Sequence, residues 1–279
     1  MPLFFFLSGL FFTQSLERKG KTRFVISKID TIVYPYVIWS LLQGLVEVLL
    51  SRYTNNPSSL GDVLALFTHP RAQFWFLYAL FMVFVLATLL YSKDAYRYLL
   101  PVLIVISMGL YLYQDNLTKA FHFDYITRFL IFFLLGALAV RYASHIANLG
   151  FGSLLASLFA FIALQWGFHG YSGLLLAVEA IFFIVTLSVM LAKTKLSWLR
   201  RLGELSMVIY LMHILATSGL RIILTKFLHV SNWPAHAILG TLIGLSAPII
   251  AYLLIQRLHL NFLLERPRFN SRLQKEKIS

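Results

Sequence analysis

The sequence predicts an all-α protein, a polytopic bundle of about nine transmembrane helices, and three observations carry that reading. Of 279 residues, 59% are hydrophobic and only 13% charged, whereas a soluble domain carries roughly a quarter charged residues. The apolar residues gather into nine stretches that are continuously apolar, unlike barrel strands, which alternate over about 10 residues. The loops between the stretches carry Lys and Arg preferentially on alternate sides, as the positive-inside rule requires.

The first stretch, Met1–Thr13, reads MPLFFFLSGLFFT and supplies about half of the ~20 apolar residues that cross a bilayer. It has no basic region before it and no A-x-A-like site after it, so it is not read as a signal peptide. The others are Thr31–Leu50, Phe74–Tyr91, Tyr98–Tyr113, Tyr125–Val140, Phe151–Trp166, Tyr171–Leu191, Leu205–Leu224 and Pro234–Gln256. Each is long enough for a helix, the shortest with snorkelling ends. Pro35, within YPYVIWS, is expected to distort the start of its helix. No polar stretch is long enough for a separate soluble domain. Residues 1–279 therefore read as one membrane domain, with residues 257–279 as a basic tail at the membrane surface.

Charge gives the orientation. Eighteen basic residues fall in alternate loops beginning with Gln14–Asp30 and in the tail, against five on the other side. This places the basic loops and the C-terminus in the cytoplasm. Met1 then lies outside, at the external end of a short span, and a preceding in-to-out helix is expected, giving ten helices in the intact protein. The net charge of +13 would point to nucleic acid in a soluble protein. Here no nucleic-acid motif accompanies it, and orientation together with contact to membrane lipids accounts for it. There is no Cys, which excludes disulfides and thiolate metal sites and fits a bacterial membrane protein. With no third ligand near His122 and Asp124 or His169, no metal site is expected.

Five words stand in order: PLFFFLSGLFF at Pro2–Phe12, YPYVIWS at Tyr34–Ser40, FWFLYALF at Phe74–Phe81, YITRFLIFFLLGALA at Tyr125–Ala139 and LGELSMVIYLMH at Leu202–His213. The series resembles the acyltransferase-3 family of bacterial membrane O-acyltransferases, in particular its fucose 4-O-acetylase-like branch, over nearly the whole chain. The resemblance implies a bacterial inner-membrane enzyme that moves an acyl group, usually acetyl, from cytoplasmic acyl-CoA to a hydroxyl of a sugar, glycan or glycolipid. The family's first helix carries a basic residue and, about three turns later, a His proposed as catalytic base. This sequence starts beyond that point and resembles the family from its second helix onward.

Acyl transfer to a hydroxyl needs a base, donors for the oxyanion, and positive charge for the CoA phosphates. Ionisable groups inside a span are costly and are functional candidates by default; here these are Arg128, Glu179 and His213. His213 is a candidate catalytic base near mid-depth, the competing reading being a buried His bonded to a neighbouring helix. Arg128 offers five rigid donors to an anionic acceptor or an oxyanion, or else forms a structural ion pair, with Glu179 as its partner. Ser8 and Gly9 contact substrate or let two backbones approach closely; no GxSxG elbow makes Ser8 a nucleophile. Trp39, Trp75 and Tyr78 stack on a sugar or form an interfacial aromatic belt. Arg23, Lys28, Arg200 and Arg201 bind CoA phosphates or simply set orientation. The competing functional class is a transporter or flippase of a small polar molecule or glycan, and a third is an inactive truncated remnant. An enzyme consumes acyl-CoA and leaves an ester; a transporter moves an unmodified solute.

Overall fold

The computed structural model describes residues 1–50, 59–117, 123–167, 173–194, 196–230 and 232–267. In chain order the helices are α1 (Pro2–Leu10), α2 (Phe12–Lys19), α3 (Lys21–Lys28), α4 (Tyr34–Leu49), α5 (Leu60–Leu64), α6 (Trp75–Leu90), α7 (Tyr96–Leu112), α8 (Phe123–Ala139), α9 (Ala143–Ala147), α10 (Phe151–Gly167), α11 (Gly173–Ala192), α12 (Ser197–Glu204), α13 (Ser206–Ile222) and α14 (Trp233–Arg257). Six spans are long and apolar enough to cross a membrane: Lys21–Leu49, Ala72–Leu90, Phe123–Ala147, Gly173–Ala192, Ser206–Phe227 and Trp233–Arg257. Tyr96–Leu112 and Phe151–Gly167 are shorter apolar helices. The chain is thus an all-α, polytopic membrane bundle. Large apolar side chains such as Leu89, Tyr98, Phe159, Trp166 and Leu253 stand exposed along these helices. So much apolar surface suits lipid and not water.

Two expectations are corrected. The basic segment 14–30 is not a loop but continues as helix. Phe12 and Leu16, four apart, bury one face of α2, and Phe24 anchors α3, while the cations point outward. The break between them is Gly20, at φ +75°, a conformation that favours glycine. The segment 193–201 likewise contains α12, whose Arg200 and Arg201 are exposed.

The helices divide into two compact units. One contains Met1–Ile26 and Ala79–Ser197. Its centre is aromatic: Phe12 meets Phe133 at 5.2 Å and Phe24 at 5.6 Å, and Phe84 meets Phe133 at 5.3 Å, all edge-on. Here α1 crosses α8 at very short range. A Cβ added to Gly9 would lie 1.9 Å from the Phe133 carbonyl oxygen, and one added to Gly136 would lie 1.9 Å from that of Phe6. Without a hydrophobic drive between helices in lipid, such close backbone approach is what holds them. Phe5 stacks on Phe129 at 4.6 Å beside the crossing.

The other unit contains Ser27–Tyr78 and Trp198–Ser279. In it α13 packs along α14, and α4 carries α5 and a short turn at Asn261–Leu263. Before α4, residues Ile29–Val33 form a π-turn, with the Tyr34 N–H bonded to the Ile29 carbonyl. Pro35 explains it: the ring lacks an N–H and crowds the carbonyl four residues earlier, so the backbone widens there. This is the expected distortion. Around it the chain beyond α14 is pinned: the Tyr34 hydroxyl donates to the Phe262 carbonyl at 2.7 Å, the Trp39 indole N–H to the Leu263 carbonyl at 2.8 Å, and Arg266 meets Asp30 at 2.8 Å.

Candidate active site

Polar residues in an apolar helix must find partners, and α4 carries three on one face. Ser40, Gln43 and Glu47 are spaced three and four apart, one turn each. Gln43 is 2% exposed. Its amide N–H donates to Glu47 Oε1 at 3.0 Å, and its Oε1 accepts from Gln73 Nε2 at 2.9 Å. Glu47 Oε2 takes a charge-assisted bond from Arg71 Nη2 at 2.5 Å. Gln73 lies in the turn before α6, and its backbone carbonyl accepts the Tyr210 hydroxyl of α13. The chain of bonds therefore runs Arg71–Glu47–Gln43–Gln73–Tyr210, entirely within one unit. Two buried oxygens, Gln73 Oε1 within it and Ser40 Oγ on the same face of α4, have no partner among the described residues.

His213 stands one turn past Tyr210 on α13, the two rings 6.2 Å apart. Its Nδ1 faces only carbonyl oxygens, Tyr210 at 2.9 Å and Ile209 at 3.1 Å. A carbonyl cannot donate, so Nδ1 carries the hydrogen and Nε2 keeps the lone pair. The next turn opens a cavity of about 220 Å³ lined by Thr217, Ser218, Leu220, Arg221, His236 and Gly240. Thr217 donates its hydroxyl to the His213 carbonyl at 2.9 Å, and His236 donates through Nε2 to the Val230 carbonyl at 2.8 Å. A histidine with a fixed tautomer thus sits one turn from a small cavity of mixed polar and apolar lining.

Trp39 is 7% exposed, with its N–H held by Leu263. Tyr78 packs near Tyr36 at 6.1 Å, and Trp75 lies half-buried at the start of α6.

Of the remaining candidates, Ser8, Gly9, Arg23, Arg128 and Glu179 belong to the other unit, while Lys28, Arg200 and Arg201 belong to this one. Arg128 does not pair with Glu179; the nearest carboxylate is Asp115, at 3.9 Å, and Arg128 Nε is buried with no partner among the described residues. Glu179 is half-buried on α11 and forms no ion pair among the described residues. Gly9 serves the crossing with α8, and Ser8 lies half-buried beside it. Arg23 is exposed on α3, which also carries Lys28. Arg200 bonds Glu204 at 3.2 Å along α12. His122 and His169 lie outside the described residues.

Gln43, Glu47, Arg71, Gln73 and Tyr210 were not singled out from the sequence. The signal was available in part: three polar residues at spacings of three and four inside an apolar helix.

A bundle of apolar helices with a buried polar network and an intramembrane histidine defines a multi-pass integral membrane protein with a built polar site. The chain belongs to the acyltransferase-3 family, whose model, an acyltransferase domain, matches residues 1–253. Comparison with curated proteins and with solved structures gave no match.

Proposed function

We propose that the protein is an integral membrane O-acyltransferase that moves an acyl group, acetyl first among the candidates, from acyl-CoA to a hydroxyl of a sugar, glycan or glycolipid. Family membership supports acyl transfer. The observation that carries the rest is His213, with Nδ1 committed to carbonyls and its Nε2 lone pair without a partner among the described residues, one turn from the Thr217–His236 cavity. At about 30 Å³ per water, a cavity of about 220 Å³ equals roughly seven waters, the scale of a single sugar ring. The branch resemblance makes a deoxyhexose such as fucose the first acceptor to try.

In this reading the acceptor hydroxyl gives its proton to His213 Nε2 as its oxygen attacks the thioester carbonyl. The C–O bond forms and the C–S bond breaks. The proton held by His213 then passes to the departing thiolate, regenerating the base. Arg128, whose buried Nε has no partner among the described residues, is a candidate for binding an anionic group. Trp75, Tyr78 and Glu179 remain candidates for contact with the acceptor, as do Ser8, Gly9 and Trp39 beside their packing roles. Arg23, Lys28, Arg200 and Arg201 remain candidates for the donor's phosphates. The basic loops and C-terminus face the cytoplasm of a bacterial inner membrane, where the donor is found.

The test uses the full chain in membrane vesicles supplied with radiolabelled acetyl-CoA and fucosylated glycans. Alkali-labile label on the glycan is the expected result, falling by about 10²–10⁴-fold in His213→Ala, the usual worth of a general base. Label transfer unchanged by His213→Ala removes His213 from the chemistry. Movement of unmodified glycan with no ester formed assigns the protein to transport.

A further inference from the structure

The unit built from Met1–Ile26 and Ala79–Ser197 holds a second cavity, of about 570 Å³, lined by Leu16, Glu17, Gly20, Lys21, Leu89, Leu90, Tyr91, Ser92 and Lys93. That volume lies within the roughly 300–1,000 Å³ typical of small-ligand sites. Its charged lining is uneven. Glu17 brings one carboxylate, whose Oε1 accepts the Tyr91 hydroxyl, against two ammonium groups. Lys21 and Lys93, from two separate segments, have no ion-pair partner among the described residues. Lys21 is also the first residue of α3. The first ladder bond there runs from the Phe24 N–H to the Gly20 carbonyl at 2.9 Å, so the amides of Lys21, Thr22 and Arg23 precede the ladder, at the positive end of its dipole.

We infer that this cavity is a phosphate-binding site, with Lys21 and Lys93 as its charged donors and the first amides of α3 beside them. Lys21 falls in the segment Leu16–Lys28 that the sequence offers for the donor's phosphates, but the side chains preferred there, Arg23 and Lys28, do not line the cavity, and Lys93 comes from a different segment. The segments that form it are those the charge bias places toward the cytoplasm. A ligand of two or more phosphates matches two ammonium groups and a row of amides. The phosphates come from a nucleotide-linked donor such as CoA or from an anionic lipid headgroup. The first source rests on the acyl-transfer reading above; the phosphate site does not.

The test is lysine-selective labelling of the full chain in lipid nanodiscs, read by mass spectrometry. In discs of phosphatidylcholine alone, CoA is expected to slow labelling of Lys21 and Lys93 at least fivefold, while other accessible lysines keep their rates. Protection that instead needs phosphatidylglycerol in the disc, with no effect of CoA, assigns the same site to lipid. No protection by CoA, pyrophosphate or phosphatidylglycerol overturns the proposal. Saturable CoA binding should weaken tenfold or more in the Lys21→Gln/Lys93→Gln double variant and stay unchanged in Arg18→Gln, which removes a cation from the same region away from the cavity. Equal weakening in all variants means general charge and also overturns it. Acyl transfer is measured in parallel. Protection without transfer leaves the site standing and sinks the enzymatic reading. Transfer with an unchanged KM for acyl-CoA in the double variant, and no protection, does the reverse.

Discussion

Placing one methyl group at the α1–α8 crossing tests how this fold is held. In Gly9→Ala the new Cβ would sit 1.9 Å from the Phe133 carbonyl oxygen and 3.1 Å from the Ala137 nitrogen. A carbon and a carbonyl oxygen rest at about 3.3 Å or more, so the two helices must separate by about 1.4 Å. Both atoms belong to helical backbone and cannot rotate away. Separation by that much forfeits a large part of the dispersion energy along the crossing and loosens the Phe5–Phe129 stack. Overpacking costs about 1–3 kcal/mol, and a backbone clash belongs at the upper end, about 3 kcal/mol. At about 2–4 °C per kcal/mol, the melting temperature of the full chain in detergent should fall by about 6–12 °C. Gly136→Ala, whose Cβ would meet the Phe6 carbonyl oxygen at 1.9 Å, should do the same. The double variant should fall well short of the sum, because one separation relieves both clashes. Gly109→Ala, with nothing within 4 Å of its Cβ, should melt at or slightly above the parent. Unchanged melting in the two crossing variants, or strict additivity, refutes the reasoning.

Further outcomes follow from the same structure. Gln43→Leu strands the Gln73 amide and one Glu47 oxygen, and should cost about 1–3 kcal/mol in a thermal melt; a neutral result would mean the network is not formed. Trp39→Phe removes the bond to the Leu263 carbonyl, worth about 1 kcal/mol, and should speed proteolytic clipping near residues 258–266, with an unchanged clipping rate counting against the pinning contact. Burial, and then the bond to Glu17, raise the Tyr91 phenol above its ordinary value of 10.0. The folded chain then keeps a proton that the unfolded chain loses, so this contribution to stability is full below pH 10 and declines as pH rises past it. Tyr91→Phe should flatten that part of the melting-temperature profile between about pH 9.5 and 11.5, and coincident profiles would refute the assignment.

The helical plan was legible because lipid imposes it: a continuous apolar run has one backbone solution, and the charged loops report its direction. Pro35 announced the distorted start of α4 for the same local reason. The segment 14–30 was less legible. Its cations read as a loop, and the apolar residues that make it helical, Leu16 and Phe24, are two among many charges. The polar network was legible only in part. Ser40, Gln43 and Glu47 share a face by spacing, but Gln73 and Tyr210 join them through a backbone carbonyl and a hydroxyl, and pairing over 137 residues leaves no local pattern. The cavity at Lys21 and Lys93 was hidden for a like reason: its lining comes from two segments far apart in sequence, each of which alone reads as orientation charge.

The three bonds around the π-turn also bear on how the protein is made. Trp39 and Leu263 are 224 residues apart. At about 5–20 residues per second, a ribosome takes roughly ten to forty-five seconds to supply the carbonyl that the indole needs. Residues 79–197 complete their own unit during that interval. The second unit is therefore assembled last, around segments threaded into the bilayer much earlier. Until residue 263 emerges, the Trp39 indole N–H lacks the carbonyl that it meets in the finished chain.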